Sequence, residues 1–145
     1  MTKTLVKNEQ LLEKILDWDL SKVVDFAVKE NPTIDKQAIL SSEDEYKHFI
    51  YLVIVSGTIL PVPTQVVDLI WHSHVLHTKD YMSFCDQVAG KFIHHSPEGF
   101  TDENFAKNSS KISEVSKQVF GNVVFDFNKQ DLVKNVNFQC CGQKA

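Results

Sequence analysis

The stretch Pro61-Val62-Pro63-Thr64-Gln65-Val66-Val67-Asp68-Leu69-Ile70-Trp71-His72-Ser73-His74-Val75-Leu76-His77-Thr78 decides the fold class. Each proline fixes its own φ and restrains its predecessor, so Pro61-Val62-Pro63 is extended and continues no helix. Thr64 then stands where its hydroxyl can cap a helix running from Gln65. A break is expected near His77-Thr78, where Thr78 can cap a further segment. Along the first of these helices each residue advances about 100°, so Asp68 and His72 share a face about 40° apart, whereas His72 and His74 point about 200° apart. Val67, Trp71 and Val75 border the Asp68 and His72 arc on one side, and Leu69 and Leu76 border it on the other. A carboxylate and an imidazole are thus enclosed by large apolar groups. A buried carboxylate without a partner is costly or is neutralised, so Asp68 must pair with His72, with a metal ion, or with both.

Working outward, the same 3.6-residue rhythm recurs on both sides. Tyr81, Phe84, Cys85 and Val88 mark one face of a helix that stops at Gly90, and Phe49, Leu52 and Val53 carry an apolar stripe to Gly57. Ser42 followed by Glu45 matches a capping box at the start of that stripe. Leu11, Leu12, Ile15 and Leu16, then Leu20, Val23, Val24 and Ala27, read as two short opening helices, the second ended by Asn31-Pro32. Phe92 to Pro97 reads as a loop or short extended piece containing His94 and His95. Phe105, Ile112, Val115 and Val119 line a last helix ending at Gly121, and Val123-Val124-Phe125 is a strand-like run. The expected architecture is all-α: a compact bundle of about five to six helices with a histidine-containing loop after the central helices and a short extended C-terminal tail. It is read as a single helical domain over 1–145, with 1–7 and 128–145 its least anchored parts.

Composition narrows the class. Of 145 residues, 43% are hydrophobic and 23% charged, which indicates neither disorder nor a membrane protein. The longest apolar stretch, Phe49 to Leu60, is interrupted by Ser56, Gly57 and Thr58 and is too short to cross a bilayer. A net charge of -4 with no basic run removes the electrostatic footprint of nucleic-acid binding. No signal-peptide h-region follows Met1, so a cytoplasmic protein is expected. The three cysteines are an odd number, and Cys140 and Cys141 are adjacent, so no disulfide framework can be read and reduced thiols are expected.

Five of the six histidines fall between His72 and His95, with Tyr81 and Cys85 in the same window. Neutral imidazole and thiolate suit zinc, copper and iron, so the density points to a transition-metal site, zinc or iron first, with ligands from His72, His74, Cys85, His94 and His95. The spacing matches neither a zinc finger nor an HExxH helix. Two arrangements fit the helical phase. In one, His72 is a ligand oriented by Asp68. In the other, His74 joins Cys85 and His94 or His95 while Asp68 and His72 brace the fold from behind; a break at His74 would merge the two sets. Adjacent residues of extended chain point oppositely, so one of His94 and His95 is expected to face the site. A catalytic version leaves one coordination position open, with Asp68 or Tyr81 as the proton-transfer group.

Each of these residues also has a plainer role. Cys85 lies on an apolar face where cysteine is most often a small core hydrophobe, Trp71 reads as a packing residue, His48 as structural, and His77 as a partner for a helix C-terminus. The competing function is accordingly a metal-free protein-interaction module whose Asp and His cluster is a buried hydrogen-bond network. A metal-free hydrolase built on Cys85 ranks below both, because a nucleophile on a core stripe is hard for substrate to reach.

The string Glu45-Tyr46-Lys47-His48-Phe49-Ile50-Tyr51-Leu52, the run Val67 to Thr78, Tyr81, Phe84-Cys85, Gly90 and His94-His95-Ser96-Pro97 together resemble the glycine-rich domain-containing protein-like family, over about a third of the chain. The chain is similar to short, stand-alone bacterial versions, and with 5 glycines it has no glycine-rich tail. The resemblance implies no defined reaction. It implies a shared site over accidental clustering, at Asp68, Trp71, His72, His74, Tyr81, Cys85, His94 and His95.

Overall fold

Helix α5, Gln65–Leu76, is the element around which the others are laid. In the computed structural model, which describes residues 8–95 and 105–133, it packs against α2 (Ser21–Glu30), α3 (Lys36–Ser41), α4 (Glu43–Ser56), α6 (Thr78–Ala89) and a 3-10 helix over Phe127–Val133. Helix α1 (Glu9–Leu16) lies on α4 and α6, and α7 (Phe105–Phe120) lies on α4. The fold is all-α. Seven α-helices stand among the described residues, where the sequence suggests five to six.

Helices α4 and α5 are central because they are apolar on almost every side, and such a helix has no face to give to water. Tyr46, Phe49, Ile50, Tyr51 and Leu52 of α4, Val66, Val67 and Ile70 of α5, and Phe84 of α6 are buried together with Ile15, Leu20, Val24 and Ala27 of the opening helices. Each of the larger side chains contributes about 1.5–3 kcal/mol by leaving water. Ile112 and Val119 attach α7 to the same cluster, as Ile93 attaches the segment after α6.

Local chemistry sets the ends. Thr64 Oγ1 accepts the Val67 amide at 3.2 Å and caps α5. Asn8 caps α1 through the Leu11 amide, and Asp35 caps α3 through the Gln37 amide. Gly57 and Gly90 close α4 and α6 in the left-handed conformation, at φ 71° and 70°, which a side chain would disfavour. The break at His77-Thr78 is present, but Thr78 does not cap: His77 holds the cap position and no side-chain bond is made there. Ser42 is likewise not the expected cap. It sits in helical conformation at the junction of α3 and α4, its buried hydroxyl without a partner among the described residues. Glu45, expected to fold back on Ser42, instead pairs with Lys129 at 2.9 Å and accepts from the Asp126 amide, tying the C-terminal segment to α4.

The buried Lys47 shows how α1 and α4 are joined. Its Nζ donates to the carbonyls of Leu16 at 2.8 Å and Trp18 at 2.7 Å and pairs with Glu43 at 3.1 Å, satisfying the otherwise open C-terminal end of α1. Val123-Val124-Phe125 forms no strand, and no strand occurs among the described residues. None of the described helices is long and apolar enough to cross a membrane. Cys140, Cys141, Ser96 and Pro97 lie outside the described residues, as do the segments 1–7 and 134–145.

Candidate functional site

The helical phase of α5 divides the histidine motif between two polar clusters on opposite sides of the helix. On one side stands His74, wholly buried. Its Nδ1 lies 2.8 Å from the Tyr46 hydroxyl and its Nε2 lies 2.7 Å from Asp80 Oδ2. Burial is the main influence on this imidazole and pushes its pKa down to about 4, against the raising effect of Asp80 and its hydrogen bond. The ring is therefore neutral at pH 7. One tautomer satisfies every atom: Nε2–H donates to Asp80, and Nδ1 accepts the proton of Tyr46, whose own ionisation burial suppresses. Asp80 Oδ2 also accepts the Trp18 indole N–H at 3.2 Å. The chain Tyr46, His74, Asp80, Trp18 links α4, α5, α6 and the turn after α1. Both nitrogens of His74 are occupied within the protein.

On the other side Asp68, buried to 2% exposure, shares its face with His72. Its Oδ1 meets Nε2 of His95 at 2.7 Å. Its Oδ2, equally buried, has no hydrogen-bond partner among the described residues. His95 is wedged against Trp71, ring centroids 4.5 Å apart, and its ring centroid is 6.2 Å from that of His72. His72 is half-buried, and its pKa is lowered first by burial, then by His95, with Asp68 opposing. The neutral imidazole that a metal ion requires is thus the favoured form.

A third set of contacts holds His95 in place. The Tyr81 hydroxyl donates to the Ile93 carbonyl and accepts the Trp71 indole N–H at 2.9 Å, and Cys85 Sγ accepts the Ile93 amide at 3.5 Å. Burial pushes up the pKa of both the Tyr81 hydroxyl and the Cys85 thiol, so each stays protonated. These two side chains clamp the backbone just before His94 and His95. His94 is exposed and leans on Phe92, with centroids 4.8 Å apart.

The structure thus brings Asp68, His72 and His95 together and places His74, Cys85 and His94 elsewhere. Tyr81, read from the sequence as a proton-transfer candidate, is enclosed. Among the described residues no three His, Cys, Asp or Glu side chains stand in an arrangement that could hold a metal ion. His77 donates through Nδ1–H to the Ser73 carbonyl, 2.7 Å away, and His48 through Nδ1–H to the Asp44 carbonyl, 2.8 Å away. Sequence reasoning missed Tyr46, Asp80 and Trp18. Each reaches His74 across a helix boundary, where the phase of α5 carries no information. The only available signal was the isolated acidic side chain of Asp80 opening α6.

The chain matches the UCP032817-like family over residues 10–130. No curated protein and no solved structure matches it. That match overturns the resemblance to the glycine-rich domain-containing protein-like family. Of the residues that carried the resemblance, Trp71 and Tyr81 are bonded to one another across two consecutive helices, while His74 and Cys85 bond Asp80 and Ile93, which lie outside that pattern. A pattern of such contacts reports how a helical hairpin is braced, over a third of the chain, and does not by itself define descent. With the match covering most of its length, the chain belongs to the UCP032817-like family.

Proposed function

We propose that this protein is a small helical domain that binds one divalent transition-metal ion, zinc or iron, through Asp68, His72 and His95. The observation that carries this reading is the orphaned Oδ2 of Asp68. A buried carboxylate oxygen without a donor is costly, and a cation is the partner that its surroundings favour, since the imidazoles of His95 and His72 stand nearby and no donor among the described residues reaches it. Tetrahedral ligands of one zinc ion, each about 2.0–2.2 Å from it, stand about 3.3–3.6 Å from one another. The 2.7 Å contact between Asp68 and His95 is a hydrogen bond, which an entering ion would replace as the two groups move slightly apart. His72 completes the set by turning its half-exposed ring toward Oδ2. Two imidazoles and one carboxylate form an open site of the kind that leaves positions for water or substrate, in contrast to a closed structural zinc.

The test is metal titration of chelator-stripped protein carrying no histidine tag. About one equivalent of Zn²⁺ or Fe²⁺ is expected to bind. His72→Ala and Asp68→Asn should each weaken binding at least about tenfold, the loss usual for a changed ligand shell, while His94→Ala leaves it unchanged. Uptake below about a tenth of an equivalent overturns the proposal.

A second reading has its own support. Both ring nitrogens of the buried His74 are satisfied, and a satisfied buried hydrogen-bond network fixes one packing arrangement. If no metal binds, the domain is a metal-free interaction module in which the polar clusters serve only to hold the fold.

A further inference from the structure

A cavity opens between the end of α4 and the segment that follows α6. We propose that it binds an amphiphile with one anionic head group, of the carboxylate class, and that Lys91 is the counter-ion for that head. The volume is about 570 Å³, within the span of sites that take small molecules. Val53, Ile54, Ile59 and Phe92 supply apolar wall, and Lys91 and His94 stand at the same cavity. Ile59 is 54% and Phe92 43% exposed, so two large apolar side chains are held half in water beside one hollow, where an apolar chain would cover them.

The backbone makes this hollow ahead of any ligand. Gly57 and Gly90, both left-handed, turn the chain sharply at the ends of α4 and α6 and leave the two walls facing one another. The far wall is held rigid because the amide and carbonyl of Ile93 are bound by Cys85 and Tyr81. A site formed in advance loses little freedom on binding.

Charge selects the ligand class. On a protein of net charge -4, the cavity's described lining contains a lysine and a histidine and no carboxylate. Lys91 forms no ion pair among the described residues. An apolar tail with an anionic head satisfies both the walls and this cation. A cationic or neutral amphiphile satisfies the walls alone.

Decanoate is the probe, titrated into the full chain with EDTA present so that the outcome is independent of any ion at Asp68. Saturable one-site binding is expected, with amide shifts in two-dimensional NMR centred on Gly57, Thr58, Phe92 and His94. Lys91→Glu should weaken binding about tenfold and Lys91→Ala about threefold, the range for one exposed charge pair lost or reversed. Decyltrimethylammonium should bind about tenfold more weakly than decanoate to the unaltered chain. Ile59→Asp, at an exposed position, should abolish binding with an unchanged circular dichroism spectrum. Absence of saturation, equal affinity for the cationic probe, or indifference to Lys91→Glu overturns the proposal. So does self-association through this surface that decanoate fails to dissolve.

Discussion

Tyr46 and His74 show what a single buried hydrogen bond does in this molecule. Tyr46→Phe removes the donor that the Nδ1 of a neutral ring has among the described residues and leaves a buried acceptor unsatisfied, at a cost of about 1–3 kcal/mol. Urea unfolding should show a lower midpoint with an unchanged slope. Asp68 and His95 call for a different experiment, a double-mutant cycle in chelated protein. His95→Ala strands a buried carboxylate and should cost about 3–5 kcal/mol, whereas adding Asp68→Asn to it should recover part of that loss. Two costs that simply add would show that the pair does not interact. At this scale much was legible: helical phase alone put Asp68 and His72 on one face and His74 on the other. The partner of Asp68 was not, because local spacing says nothing of which side chain a distant loop delivers.

Among the elements, α5 depends most on its first turn. Thr64 is buried, and no water can replace its hydroxyl at the Val67 amide. Thr64→Ala should cost about 1–2 kcal/mol in thermal or chemical unfolding, and Thr64→Ser should retain most of the stability. The extended Pro61-Val62-Pro63 entry and this cap made α5 readable from sequence, as glycine made the ends of α4 and α6 readable. Helix α3 and the 3-10 helix were not. Six or seven residues are too few to display a period, and both are held by contacts with α4 and α5 that the local sequence does not contain. Ser42 failed as a cap for the same reason: α3 runs directly into its position and holds it in helical conformation, at φ -90° and ψ -5°, instead of the extended one from which a side chain caps.

For the whole molecule, His74 makes stability depend on pH. Its ordinary pKa of 6.5 falls to about 4 on folding, so below pH 6.5 the unfolded chain takes up a proton that the folded chain refuses. Stability is therefore fully present above pH 6.5 and is lost as the pH falls toward 4, by up to about 3 kcal/mol. His72, lowered in the same direction, adds to the loss, while Glu45, raised by burial, opposes it at the acid end. Urea midpoints at pH 7.5, 5.5 and 4.5 should fall in that order, and His74→Gln should flatten the trend. The arrangement of the two indoles has an optical consequence. Trp18 is bonded to Asp80 and Trp71 to Tyr81, with His95 against the Trp71 ring, so the two fluorophores of this chain are wired to separate circuits. An ion settling beside Asp68 should alter the emission of a Trp18→Phe chain and leave that of a Trp71→Phe chain dark to the event, so that each circuit can be listened to alone.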